Sequence, residues 1–205
     1  KMMIVRIACL LFAVSTLVNA QSQPIRVITG YPPGGAVDAL ARIFSERISE
    51  NLGRPAIVET RAGAAGLIAA QAVKAAPADG STLLVAPEGI FVLYPHTVTK
   101  PAFDSLNDFF PVAHLGGYPL GFAVNASVPA KDLKELVAIA RKQPGKLSYG
   151  SGGIGTTTHL APELFKSLEK LDILHVPYKG SGLALIGLAS GQVDMEVVAA
   201  PVALG

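Results

Sequence analysis

The sequence predicts an α/β protein in which two domains of similar order flank a ligand cleft. Short apolar strands alternate with helices along most of the 205 residues, and each half of the chain carries a glycine-rich turn directly before a helix. In the first half, right-handed crossovers between such strands give a parallel sheet that helices cover on both faces. Because ligands of open α/β sheets bind beyond the carboxyl ends of the strands, the two turns indicate a binding cleft between the halves.

The first half predicts the order strand, helix, strand, helix, strand. The predicted strands are 25–28, 56–58 and 82–86, and the predicted helices are 37–51 and 67–76. In the first helix, the spacing of apolar residues predicts a buried stripe, made of Leu40, Ile43, Phe44, Ile48 and Leu52. Beyond the third strand, residues 87–107 predict a short helix and a loop, and residues 110–115 predict a linking strand.

The same pattern restarts in the second half. The predicted strands here are 120–124, 146–149, 173–176 and 193–198, and the predicted helices are 133–142, 156–168 and 182–189. Pro144 and Gly145 mark the end of the first of these helices, because proline cannot continue a helix and glycine favours its C-terminal cap. We therefore expect two domains, 21–115 and 116–205.

The glycine turn at 150–157 has the chemistry of an anion site. It joins a strand to a helix start, where the first N–H groups lack partners inside the helix and the peptide dipoles add partial positive charge. Glycines let the backbone approach a ligand closely, and Ser151, Thr156 and Thr157 supply hydroxyl groups. No Lys or Arg lies between Tyr149 and Leu160, so backbone N–H groups would hold most of the negative charge.

The same turn also fits the pattern G-x-G-x-x-G through Gly150, Gly152 and Gly155. This match alone is weak evidence for a dinucleotide site. A dinucleotide fold needs an acidic residue at the end of the next strand to hold a ribose, whereas Asp172 comes before that strand. A small anion therefore suits the turn better than a nucleotide.

Residues 1–20 predict a signal peptide. Lys1 and Arg6 accompany an apolar run that is short for a membrane span, and Val18-Asn19-Ala20 is a cleavage site of small residues. An uncleaved anchor is the alternative interpretation. The one cysteine, Cys9, lies within this run, so the exported chain would have neither disulfides nor a thiol nucleophile. Without Lys1 and Arg6 the chain has 15 basic and 15 acidic residues, which provides no basic field for nucleic acid.

A set of short motifs runs in order through nearly all of the chain beyond the predicted signal peptide. The motifs are Tyr31-Pro32-Pro33-Gly34-Gly35 with Asp38 and Ala41-Arg42; Val58-Glu59 with Arg61, Gly63 and Gly66; Asp79-Gly80 with Thr82-Leu83; Asp108-Phe109 with Pro111-Val112; Ser151-Gly152-Gly153 with Gly155, His159-Leu160 and Glu163-Leu164-Phe165; His175-Val176-Pro177-Tyr178-Lys179-Gly180; and Gly191 with Val193-Asp194. Together they resemble the substrate-binding receptors of tripartite tricarboxylate transporters, the Bug family of periplasmic binding proteins.

The resemblance implies a type II periplasmic-binding-protein fold, with two Rossmann-like α/β domains joined by a hinge. It implies a receptor without enzymatic activity, cofactor or metal, which captures a small carboxylate in the periplasm and delivers it to a membrane permease. We expect a monomer that does not bind nucleic acid. Two departures from the family pattern, Thr60 and the turn Gly63-Ala64-Ala65-Gly66, imply altered ligand contacts. The family chain also continues further and returns to complete the first domain, so we expect a C-terminally truncated chain.

The predicted ligand-binding residues lie in the two glycine turns and in the loop after the strand 173–176. They are Tyr31, Gly34, Gly35, Asp38, Ser151, Gly155, Thr156, Thr157, His159 and Tyr178. Several have a structural alternative: Asp38 as a carboxylate that holds its own turn, Tyr31 as a packed ring, and His159 as a structural histidine. The hydroxyls of Ser151, Thr156 and Thr157 are alternatively helix caps only.

Two other functions compete with solute capture for transport. A sensor subunit that reports ligand occupancy to a signalling protein would use the same binding chemistry. An enzyme is the less favoured alternative, because Ser151 with His159 or His175 would lack the G-x-S-x-G elbow of a serine hydrolase. The four histidines, His96, His114, His159 and His175, have no paired spacing typical of a zinc site.

Overall fold

Two separate β-sheets organise the chain in the computed structural model, which describes residues 23–200. The predicted signal peptide, residues 1–20, lies outside the described residues. The strands are β1 Ile25–Thr29, β2 Ala56–Thr60, β3 Thr82–Val85, β4 Leu120–Val124, β5 Ser148–Ser151, β6 Leu174–Pro177 and β7 Met195–Ala199. The helices are α1 Ala36–Leu52, α2 Leu67–Lys74, α3 Gly89–Val92, α4 Tyr94–Thr97, α5 Leu133–Lys142, α6 Thr157–Glu169 and α7 Ser181–Ala189, with a 3₁₀ turn at Ala64–Gly66.

The first lobe, which carries β1–β3 and α1–α4, is built on a parallel sheet of order β2-β1-β3. Alternate residues of β1 face opposite sides of the sheet. Ile25 and Val27 pack with Ala41 of α1 and Val85 of β3 on one face. A cluster on α2, α3 and the following loop, with Ala70, Ile90 and Phe103 at its centre, forms a further core. Helices on both sides therefore bury the parallel strands.

The second lobe, which carries β4–β7 and α5–α7, is built on a four-stranded sheet of order β4-β7-β5-β6. Strand β5 runs parallel to β6 and β7, whereas β4 pairs with β7 in the antiparallel direction. Tyr149 and Met195 lie opposite each other in register and share a core with Leu136 of α5, with Phe165 of α6 packed against it. Gly150 faces the other side of the sheet, against Ala184 of α7.

The helix ends of the second lobe follow local sequence signals. Asp132 caps α5 by accepting a hydrogen bond from the Glu135 backbone N–H at 2.8 Å, and Glu135 accepts one from the Lys131 backbone N–H at 2.7 Å. This reciprocal pair resembles a capping box and satisfies two exposed N–H groups. Helix α6 ends at Glu169, and its C-cap residue Lys170 has a φ of 53°, which places it in the left-handed region. No helix within residues 23–200 combines the length and apolar character required to cross a membrane.

The α/β fold with two sheets is confirmed, and the parallel order of the first sheet is as predicted. The linking strand predicted at 110–115 is wrong, because these residues form no strand and Phe110 is 88% exposed. The predicted stripe of α1 is also partly wrong. Ile43 and Leu52 are exposed, while the smaller Ala41 and Ser45 occupy the buried face. The domain limits 21–115 and 116–205 stay a prediction.

Glu196 is a buried carboxyl in the middle of β7. Its side chain is fully buried, and within residues 23–200 neither carboxylate oxygen has a hydrogen-bond partner. Its register partner Gly150 faces α7, so Glu196 lies under that helix. Burial in this environment disfavours the charged form and raises the pKa of Glu196 to about 8. The carboxyl is therefore mostly protonated at neutral pH.

The raised pKa makes folding stability depend on pH. Between the ordinary glutamate pKa of 4.5 and about 8, the folded protein holds a proton that the unfolded chain releases. Stability contributed by the protonated carboxyl is therefore fully present below pH 4.5 and is lost as the pH rises through this window, by up to about 1.4 kcal/mol per pH unit. We expect Glu196→Gln to remove this slope in urea unfolding measured from pH 5 to 8.

The matched control is Glu46→Gln, which changes an exposed glutamate of α1. It should unfold with the same pH dependence as the unaltered protein. An unaltered slope in Glu196→Gln would show that the Glu196 carboxyl does not hold a proton in the folded state.

Candidate functional site

Three helices begin at one crevice between the lobes. The crevice is part of a cavity of about 1130 Å³, whose lining includes the starts of α1, α6 and α7. Much of the remaining lining is apolar and belongs to the first lobe, including Phe44, Leu83, Ile90 and Phe91. The cavity therefore has a polar end, formed by backbone at the lobe boundary, and an apolar end along β3.

The first of these helix starts follows β1. Gly35 is the N-cap of α1, adopts an extended conformation and provides no side-chain cap. Gly35, Ala36 and Val37 all line the cavity. Because the first N–H groups of a helix have no partner within it, this end offers hydrogen-bond donors with partial positive charge.

The second helix start follows β5. Thr156 is the N-cap of α6, but its hydroxyl turns back to donate to the Gly153 carbonyl oxygen at 2.7 Å instead of capping the helix. Gly155, Thr156 and Thr157 line the cavity. The glycine turn thus holds its own shape through side chains and presents its helix start to the crevice.

The third helix start follows β6. Gly180 is the N-cap of α7 at φ 140° and gives no side-chain cap, and Ser181 and Gly182 line the cavity. The backbone here lies against the turn after β1. A Cβ atom on Gly180 would lie 2.8 Å from Pro32 Cδ, so only glycine permits this approach between the lobes.

A second, smaller crevice of about 300 Å³ lies beside the first. One wall is Gly30, Tyr31 and the turn Gly63 to Ala65, and the other is Gly152 to Ile154 with Pro177 to Lys179. Lys179 is the one lining residue with a charged side chain, and it is exposed. Tyr31 lines both crevices and so joins them.

The turn that departs from the family pattern lies at the contact between the lobes. Ala64 and Ala65 have φ values of 47° and 54°, in a left-handed region that costs a residue with a Cβ about 1–2 kcal/mol. The Tyr31 hydroxyl donates to the Ala65 carbonyl oxygen at 3.0 Å and helps to hold this shape. A Cβ atom placed on Gly153 of the opposite lobe would lie 3.9 Å from the Ala65 Cβ, within van der Waals range.

The charges around the larger crevice are few. Burial, with smaller contributions from Tyr118 and Glu88, raises the pKa of the Tyr31 phenol to about 12, so Tyr31 remains a hydrogen-bond donor at neutral pH. Asp108 lines the apolar end but pairs with Lys74 at 2.7 Å. Glu88 also lines the cavity and takes part in none of the ion pairs within residues 23–200.

The structure brings six of the ten predicted ligand residues to the crevices. The six that line them are Tyr31, Gly35, Gly155, Thr156, Thr157 and Tyr178. The other four, Gly34, Asp38, Ser151 and His159, make hydrogen bonds within their own lobe. Whether any of the ten contacts a ligand stays a prediction.

Asp38 is one of the four predicted residues that make hydrogen bonds within their own lobe. Its side chain is 7% exposed, accepts a hydrogen bond from the Gly34 backbone N–H at 3.3 Å, and pairs with Arg42 at 3.0 Å. The carboxylate therefore faces its own turn and helix. Ser151 is fully buried and lies 2.7 Å from His175 Nε2, so its hydroxyl has no open approach for a substrate.

Sequence reasoning missed the start of α7. Ser181 and Gly182 line the crevice, and a Cβ on Gly182 would lie 3.6 Å from the Gly35 backbone nitrogen. The available signal was the repeat of the same order, a strand followed by glycine and a helix, at Gly180. No group of three or more His, Cys, Asp or Glu side chains in the described part of the chain is placed to hold a metal ion.

Sequence comparison identifies a family of transporter receptors. A sequence model described as "Tripartite tricarboxylate transporter family receptor" matches residues 40–205. A UPF0065 protein from the tcbD-tcbE intergenic region of a Pseudomonas species is 41% identical over 179 residues, which are 86% of this chain and 52% of that protein. BugT of Bordetella pertussis is 33% identical over 184 residues, covering 89% of this chain and 56% of BugT. The chain spans about half the length of the curated relatives it matches.

Solved structures that resemble this chain are also periplasmic binding proteins. An R. palustris protein solved with adipate matches with a TM-score of 0.85 and 33% identity, over 90% of this chain and 62% of that one. MatC from Rhodopseudomonas palustris with bound malate matches with a TM-score of 0.79 and 30% identity, over 88% and 62%. The periplasmic binding protein BugD matches with a TM-score of 0.77 and 27% identity, over 86% and 58%.

The fold of two α/β lobes is thus that of periplasmic binding proteins, and backbone at three helix starts borders its crevice. The sequence match covers most of the chain, and the curated relatives agree with it. The chain belongs to the tripartite tricarboxylate transporter receptor family, the Bug proteins.

Proposed function

We propose that the protein captures a small dicarboxylate in the crevice between its lobes and delivers it to the permease of a tripartite tricarboxylate transporter. The observation that carries this proposal is the convergence of three helix starts, from α1, α6 and α7, on one crevice. None of the three has a side-chain cap. Their N–H groups are therefore available to a ligand.

Backbone donors at helix starts suit a carboxylate. Each helix end contributes roughly 0.3–1 kcal/mol to an exposed anion and up to about 2 kcal/mol when the site is partly buried. One end would hold a carboxylate weakly, whereas three ends around one crevice add their contributions. Removal of water from the crevice on closure lowers the local dielectric and strengthens each contact.

The two crevices suit a ligand with an acidic group at each end. The larger one offers the helix starts, while the smaller one offers Lys179 and the backbone of the turn Gly152 to Ile154, since the Tyr178 hydroxyl bonds Gln192 beside α7. Because Tyr31 borders both crevices, one short carbon chain would connect them along its ring. The adipate and malate in the two related structures are both dicarboxylates and support this choice of ligand class.

Closure of the lobes couples capture to delivery. The turn after β1 contacts the start of α7, so ligand contacts and contacts between the lobes involve the same backbone. A ligand favours the closed form only by contacting it better than the open form. A permease that recognises the closed receptor would then accept loaded protein only. The family relationship supports a periplasmic location and this partner, and we propose that the receptor acts as a monomer.

Calorimetry tests the ligand class on the full-length protein. We expect malate and adipate to bind, and their diamides not to bind, because an amide lacks the charge that the helix starts stabilise. Equal binding of acids and amides would contradict the proposal. Chemical conversion of a bound acid would instead favour an enzyme, and mass spectrometry of the recovered ligand distinguishes this outcome.

A single substitution tests the role of backbone donors. Ala36→Pro removes the first N–H of α1, at a position where proline fits a helix and where the extended Gly35 accepts a following proline. We expect adipate affinity to fall by about tenfold or more, because a hydrogen bond to a charged group contributes about 1.5–3 kcal/mol. Isothermal titration calorimetry measures the change.

Leu133→Pro is the matched control for this variant. It occupies the same first position of α5, after an extended N-cap residue, and α5 does not border either crevice. Its affinity should equal that of the unaltered protein. Equal affinities in both proline variants would mean that the start of α1 does not contact the ligand.

A further inference from the structure

Three aromatic rings form a stack behind the glycine turn at 151–157. The imidazoles of His159 and His175 lie with centroids 4.3 Å apart and planes 28° apart. The ring of Tyr149 stacks on His175 with centroids 4.7 Å apart and planes 16° apart. The stack joins α6, β6 and β5, and none of the three residues lines either crevice.

Both histidines hold the glycine turn through hydrogen bonds. The Gly155 backbone N–H donates to His159 Nδ1 at 3.2 Å. His175 Nε2 lies 2.7 Å from the Ser151 hydroxyl, and that hydroxyl accepts a hydrogen bond from the Gly153 backbone N–H at 3.2 Å. The two rings thus fix two backbone amides of the turn that borders both crevices.

The contact of His159 with Gly155 requires a neutral His159 ring. A neutral imidazole accepts at one nitrogen and donates at the other, and in His159 the accepting atom is Nδ1. A proton added at Nδ1 would replace that acceptor with a donor facing the Gly155 N–H, so the bond would be lost. Two charged rings at 4.3 Å would also repel each other.

The surroundings favour the neutral state. Burial lowers the pKa of His159, and Lys166 adds to this effect while Glu163 opposes it. Burial also lowers the pKa of His175, and the neighbouring His159 and Lys166 lower it further against Glu163. Glu163 is already engaged, since it accepts hydrogen bonds at 2.7 Å from the Tyr149 hydroxyl and from Lys166 Nζ.

Two other charged groups lie on elements that pack beside the stack. Lys166 Nζ sits over the Tyr149 ring at 5.4 Å from its centroid, on the same helix as His159 and Glu163. Glu196 of the neighbouring strand β7 faces the opposite side of the sheet, because its register partner Gly150 faces α7. Besides burial and the other ring of the pair, the charged groups that act on the protonation of the two histidines are therefore Glu163 and Lys166.

We propose that His159 and His175 are positioning residues that make ligand capture depend on pH. The neutral pair holds the turn at 151–157 in its binding shape. Protonation of His159 releases the Gly155 amide, and His175 acts as its stacked neighbour and as the partner of Ser151. This inference rests on the proposed function for its effect on a carboxylate. Since the folded pKa of each ring lies below that of a free histidine, the contribution of the pair is present above about pH 6.5 and is lost as the pH falls below it.

Calorimetry with adipate between pH 7.5 and pH 5.5 tests the proposal. Because the folded pKa of each ring lies below 6.5, we expect affinity to fall only below that pH, by at most about tenfold at pH 5.5, one pH unit lower. In the variant His159→Asn with His175→Gln, each new side chain places an uncharged amide near the nitrogen that it replaces. In this variant, the change in affinity between the two pH values should then be only the change that protonation of adipate itself causes.

His96→Gln is the control, because His96 is exposed and borders neither crevice. It should keep the full pH dependence. An affinity ratio in the double variant equal to that of the unaltered protein would overturn the proposal.

Nuclear magnetic resonance gives a second readout, which uses the unaltered protein and needs neither a ligand nor a variant. The Gly155 amide signal of the unaltered protein should shift with the same midpoint as the His159 ring, below pH 6.5. A Gly155 amide that does not follow the ring titration would overturn the proposal. If no carboxylate binds at any pH while Gly155 follows the ring, the proposed function fails, and control of the turn by the histidines stands.

Discussion

Close approach of backbone to backbone at glycines is the constraint on which this structure depends. Within the first lobe, a Cβ atom on Gly30 would lie 2.4 Å from the Gly66 Cα, so the turns after β1 and β2 pack without side chains between them. Between the lobes, Gly180 lies against Pro32. These contacts bring the turns that follow three parallel strands to one boundary, where the carboxyl ends of α/β sheets place ligand sites.

Because of this constraint, backbone and side chains have different roles at the boundary between the lobes. Backbone N–H groups of α1, α6 and α7 border the crevice, whereas the reactive side chains nearby lie behind the turns. Ser151 bonds His175, and Asp38 bonds Gly34 and Arg42. A buried polar group without a partner would cost free energy, so these side chains satisfy one another and fix the backbone that faces the ligand. The arrangement suits reversible binding better than catalysis.

The order of elements, the parallel first sheet and the position of the glycine turns were predictable, because they follow from periodicity and from glycine placement. Details that depend on tertiary contacts were not. The apolar spacing of α1 indicated Ile43 as buried, but Ala41 and Ser45 occupy the buried face, and Ala41 packs against the core residues of β1. Nothing local distinguishes antiparallel β4 from the parallel strands, since its direction is set by pairing with β7. The burial of Ser151 likewise depends on His175, which is distant in sequence.

The central claim is that backbone donors at opposing helix starts, rather than catalytic side chains, hold a small acid. A crystal structure of the full-length protein with adipate tests it most directly. The account predicts carboxylate oxygens within about 2.7–3.2 Å of backbone N–H groups at the starts of α1 and of α6 or α7. Adipate bound outside the crevice, or held there by Lys or Arg side chains without these N–H contacts, would contradict it.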